Sequence, residues 1–96
     1  MKEKKKTSKV LSPIRVGNKV LIRTVTVYHT GRIVLLTPTE IVLVDAAWIA
    51  DTGRFNESLT ASSVSECEPF PSPVSVNRGA VIDVTDWRGE LPRTVK

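Results

Sequence analysis

The chain has one cysteine, one histidine, five aromatic residues and no long apolar run. Each scarcity excludes something. A lone Cys67 has no internal disulfide partner, so nothing calls for an oxidising compartment. One Cys and one His are too few ligands for a zinc site. A Cys67–His29 dyad is arithmetically possible, but Glu66 and Glu68 flank the thiol, and negative neighbours raise its pKa. No glycine-rich phosphate loop occurs, and no carboxylate pair is specified by spacing. The expectation is a protein that is not an enzyme and holds no metal or cofactor.

Membrane insertion through a helix needs about 18 consecutive apolar residues. Pro38, Glu40 and Asp45 interrupt the richest stretch. The basic start is not followed by an apolar segment of the signal-peptide kind; Thr7, Ser8, Lys9, Ser12, Pro13 and Arg15 come next. A cytoplasmic, soluble protein without membrane contact is expected.

The formal charge is +4, with a pI near 9.6. Its placement matters more than its size. Residues 1–9 carry five Lys and one Glu, whereas residues 10–96 carry nine basic and nine acidic side chains. The basic pI therefore describes a short arm attached to a neutral body. Residues 1–9 are expected as a disordered basic arm, having almost no apolar side chain and strong self-repulsion. Residues 10–96 are expected as a single small domain, since 96 residues do not suffice for two. A body this small is marginal alone, which favours a homo-oligomer. Its charge is also divided: residues 15–32 hold four cations and no acid, and residues 40–68 hold six acids against Arg54. Such halves suit head-to-tail association or mutual neutralisation within one domain.

What is present is strongly β. Residues 19–28 are rich in β-branched and aromatic side chains, and Thr24-Val-Thr-Val27 alternates with the period of a half-buried strand. His29 to Arg32 reads as a bend before a second β run at Ile33 to Leu36. Pro38 breaks the chain before Ile41-Val-Leu-Val44. Residues 45–51 either extend that strand or open a helical turn. Val64 to Glu68 and Val74 to Val76 read as strand, separated by three prolines in 69–73. Asn77-Arg78-Gly79 is a tight turn leading to the last strand at Ala80 to Val84. These short strands without a long amphipathic helix point to an all-β fold, a small, strongly bent five-stranded barrel.

Two stretches carry a family likeness. Gly31-Arg-Ile-Val-Leu-Leu-Thr-Pro-Thr-Glu-Ile-Val-Leu-Val-Asp45 joins a Gly-bearing bent strand to an apolar strand ending in an acid. Val74-Ser-Val-Asn-Arg78-Gly79-Ala-Val-Ile-Asp-Val84 places an Arg-Gly pair between the last two strands. Together they resemble the Sm-like (LSm, Hfq-type) small β-barrel family. The resemblance implies a ring of subunits binding RNA or single-stranded nucleic acid, with Arg78 near the pore. Glu40 departs from it, standing where the family has an Asn that contacts bases.

Candidate nucleic-acid contacts are Lys2, Lys4, Lys5, Lys6 and Lys9 of the arm, with Arg32, Arg78 and Gly79. The lysines would release counterions from a phosphate backbone. Trp48, Phe70 and Trp87 are candidate partner-interface residues, Trp48 for core or subunit contact and Trp87 for a partner surface. The expected function is a non-catalytic oligomeric binding module of the Sm-like kind. The alternative is an adaptor subunit of a larger protein assembly, self-associating through its barrel. Its arm and Pro-rich 69–73 segment would then dock partners.

Overall fold

A computed structural model describes residues 10–96. The order of elements is β1 (Lys19–Thr24), β2 (Tyr28–Leu36), β3 (Glu40–Asp51), α1 (Phe55–Ala61), β4 (Glu66–Pro69), β5 (Val74–Asn77), a 3-10 turn (Arg78–Ala80) and β6 (Val81–Asp86). The all-β expectation holds, and two finer expectations need correction.

First, the Thr-Val-Thr-Val run is not continuous strand. Thr24 Oγ1 accepts from the Val27 amide (3.0 Å) and donates to the Val27 carbonyl (2.7 Å). This local hydroxyl bonding closes a hairpin turn against the β-propensity of the run. His29 to Arg32 consequently lie inside β2 and pair with β1 and β3.

Second, the strands form a six-stranded antiparallel sheet that is not closed, in place of a five-stranded barrel. The path runs β4-β3-β2-β1-β6, and β5 also pairs with β3. The twelve-residue β3 has room for two partners end to end along one edge. Glu40 to Leu43 pair with β5, and Ala47 to Asp51 pair with β4. The extra strand therefore lengthens the sheet rather than sealing it.

The sheet is curled where β2 and β3 are irregular together. Thr30 pairs with Ala47 but Arg32 with Val44, so β3 carries an extra residue opposite Gly31. Asp45 takes it up with a left-handed φ of 50°. A bulge of this kind bends the strand and exchanges its faces. Ile41 and Leu43 before it belong to one core, Ala47 and Ile49 after it to another.

Both faces of the sheet are thus buried in part. On β1, Val20 and Ile22 enter the first core, with Ile33, Leu43 and Val76, while Leu21 points the other way. Strand geometry requires that alternation. The second core gathers Leu21, Ala47, Ile49, Val64, Cys67, Trp87 and Leu91. It is covered by the chain after β6, which runs from one end of the sheet path to the other. The Trp87 amide donates to the Lys19 carbonyl on β1 (2.9 Å), and Lys96 exchanges two backbone bonds with Cys67 on β4 (3.1 and 3.0 Å). Among the described residues no helix is long and apolar enough to cross a membrane.

Candidate nucleic-acid interface

The turn between β2 and β3 meets the turn between β5 and β6. Thr37 sets the first: its hydroxyl accepts from the amides of Glu40 (2.9 Å) and Thr39 (3.3 Å). Asn77 sets the second, its side-chain oxygen accepting from the Gly79 amide at 2.7 Å. The Arg78 amide then donates to the Thr39 carbonyl (2.9 Å) and ties the two together. Pairing of Glu40 with Asn77 across β3 and β5 is what brings them into register.

Arg78 is half-buried here, and its Nε has no hydrogen-bond partner among the described residues. That nitrogen is shielded from solvent, so the donors left for a ligand are those of the two Nη groups, which have no partner among the described residues. Gly79 is exposed beside it, with its amide spent on Asn77. Glu40, the residue that departs from the Sm-like pattern, is occupied internally. Its Oε2 accepts from Ser75 Oγ (2.5 Å) and its Oε1 from Thr37 Oγ1 (3.5 Å). The carboxylate therefore buttresses the paired turns and makes no ion pair with Arg78 among the described residues.

The other expected contacts do not converge on this point. Arg32 donates from Nη1 to the Gly17 carbonyl (2.8 Å) and holds the lead-in segment against β2. Lys2, Lys4, Lys5, Lys6 and Lys9 lie outside the described residues.

The aromatic candidates separate. Trp48 is 38% exposed, and its cross-strand neighbours are His29 on β2 and Glu68 on β4. Phe70, 37% exposed, stacks on His29 with ring centroids 5.8 Å apart. Trp48 and Phe70 thus flank one histidine. Burial holds the His29 pKa below its ordinary value, and Nδ1 is buried without a partner among the described residues. Trp87, expected at a partner surface, is corrected to a core residue. It is 2% exposed, with Nε1 donating to the Glu90 carbonyl at 2.8 Å. An indole whose nitrogen finds a local carbonyl can be buried at no polar cost.

The place of His29 was the hardest to read from sequence, because it depends on the Thr24 turn being a turn. Catalytic use of His29 with Cys67 has no geometric support. Cys67 lies with Ile49 on the face of the second core, whereas His29 shares the opposite face with Trp48. Burial also pushes the Cys67 thiol up, away from thiolate. Among the described residues no group of three His, Cys, Asp or Glu side chains is placed to hold a metal ion.

Compared with known proteins, the chain matches no family model, no curated protein and no solved structure.

Proposed function

We propose that the chain is a non-catalytic, Sm-like binding module that self-associates and contacts single-stranded RNA at the paired turns. One observation carries this reading: the β2–β3 turn and the Arg78-Gly79 turn are bonded to each other, and the Arg78 guanidinium, its Nε buried, makes no hydrogen bond or ion pair among the described residues. Two rigidly joined turns hold a cation in a fixed position, which suits a phosphate. Self-association is supported by strand edges. β6 ends the sheet path, and β5 pairs on one side with β3. Ile82, at an irregularity of β6, is 59% exposed. Unpaired edges of this kind accept another strand. The arm lysines would add a salt-sensitive contact to the RNA backbone.

The adaptor reading is favoured by a different observation, the Trp48–His29–Phe70 patch. Half-exposed aromatics on a sheet face, with Glu68 beside them, suit a protein partner better than a phosphate chain.

The native mass of the purified protein, measured before and after nuclease treatment, tests the proposal. It is expected to give an integral multiple of the 10.6 kDa chain, with nucleic acid carried along at low salt. A strict monomer free of nucleic acid would overturn it.

A further inference from the structure

One face of the sheet carries unbalanced charge at its β4 margin. Asp51 and Glu66 stand directly opposite each other across the β3–β4 ladder. Like charges so placed destabilise a sheet. Glu68 shares their face, because buried Cys67 between it and Glu66 points the other way. All three carboxylates are exposed, and none makes an ion pair among the described residues. Three cations adjoining β3 and β4 are spent elsewhere or face away. Arg54 reaches Glu57 (4.0 Å), and Arg93 holds Asp45 and Glu90 (both 3.3 Å). Lys96 pairs with Cys67, which puts its side chain on the opposite face. Beside the acids lie Trp48, the direct partner of Glu68, and Phe70, both partly exposed. Aromatic rings attract a cation over their faces and cover the aliphatic stem behind it. Carboxylates bordering two such rings therefore select lysine or arginine side chains over phosphate.

The chain supplies such a segment. Residues 1–9 carry five lysines and one glutamate, whereas the rest of the chain is balanced. Lys2, Lys4 and Lys6 alternate in the sequence. In an extended segment they project from one side about 7 Å apart, the spacing of Glu66 and Glu68 along β4. The segment is also long enough. The Pro13 carbonyl accepts from Asn18 Nδ2 (2.9 Å), which folds the lead-in back to the start of β1. Val10 is then at most about 10 Å from that point. Ile22, His29, Trp48 and Glu68 form one row across the sheet. Strand spacing and rise put Glu68 about 18 Å from the start of β1, and nine extended residues reach about 30 Å.

We propose that the basic arm, residues 1–9, docks on the Trp48–Phe70 face of its own chain, its lysines paired with Asp51, Glu66 and Glu68. Docking neutralises a like-charge pair that the body leaves open and covers two aromatic rings. It needs no ligand beyond this chain and so stands apart from the RNA reading.

Carbodiimide coupling of the full-length protein, which joins a lysine amine to a carboxylate in contact with it, tests the docking. Equal amounts of nitrogen-15-labelled and unlabelled chain are mixed, coupled at low salt and at 1 M salt, and mapped by peptide mass. Links from the arm to Asp51, Glu66 and Glu68 are expected within single chains, severalfold more abundant than links to exposed Glu57 and Glu90. They are lost at 1 M salt, where charges act over only about 3 Å. Nitrogen-15 spectra give a second readout. The Trp48 indole resonance is expected to move between the two salt concentrations, while that of buried Trp87 stays in place. Glu66→Gln combined with Glu68→Gln, both at exposed positions, should abolish the Trp48 movement. Arm links spread evenly over the exposed acids, links joining labelled to unlabelled chains, no arm link, or a Trp48 indole that moves equally in the double variant overturns the proposal.

Discussion

A Cβ built on Gly31 would stand 2.9 Å from the Cβ of Leu43, across the β2–β3 ladder. The same position would approach Ala46 Cβ at 3.2 Å, so both sides of the Asp45 bulge close on the glycine. The bend at Gly31 is where the sheet curls around its first core, and hydrogen there is a packing requirement.

Gly31→Val is therefore expected to destabilise the fold through overpacking, by about 1–3 kcal/mol. In a domain of this size that lowers the melting temperature by about 4–8 °C per kcal/mol. Thermal unfolding followed by circular dichroism measures it; a variant melting with the parent removes the bend from Gly31.

The two tryptophans are expected to differ. Trp87→Ala empties a site at the centre of the second core and costs about 3–5 kcal/mol. Trp48→Ala, on a residue 38% exposed, should cost well under half of that. Urea denaturation of the two variants is decisive, and equal losses would contradict the assignment of Trp87 to core and Trp48 to surface.

Stability should depend on His29 in acid. Burial lowers its folded pKa, so the unfolded chain binds the proton first. Above the ordinary value of about 6.5 neither state is protonated and stability is full. As pH falls below that value, stability declines until the lower folded pKa is reached. Asp83, whose pKa is held down by its bond to Arg23, acts in a separate window below the ordinary value of about 3.9. The urea midpoint should therefore drop between pH 7.5 and 5, and His29→Gln should flatten that drop. A wild-type midpoint constant over this range would contradict the assignment.

Much of the strand content was legible because β-branched runs and prolines punctuate this sequence plainly. Ile41 to Val44 and Val74 to Val76 fall within strands, and Gly31 was readable as a bend because a glycine interrupts a run of β-forming residues. The Thr24 turn was not legible: four β-formers in a row conceal a hydroxyl that bonds its own backbone. Sheet closure was equally hidden, since no local feature of β3 announces that β5 and β4 share one edge. Trp87 misled because Asp86, Arg88, Gly89 and Glu90 around it look like surface, and its partners come from β1 and β3. At the site, Arg78 and Gly79 were named from the sequence, but the bond from the Arg78 amide to Thr39 spans 39 residues and leaves no sequence trace.

The central claim rests on Arg78, and fluorescence anisotropy of a labelled mixed-sequence single-stranded RNA, titrated with full-length protein across a salt series, tests it most directly. Arg78→Ala should weaken binding at every salt concentration and reduce the slope of log affinity against log salt by about one. Gly31, the Thr24 turn and both cores are untouched by that change, so the melting temperature should stay with the parent. Parent and variant binding with equal affinity and equal slope, or no binding by the parent at physiological salt, would contradict the account.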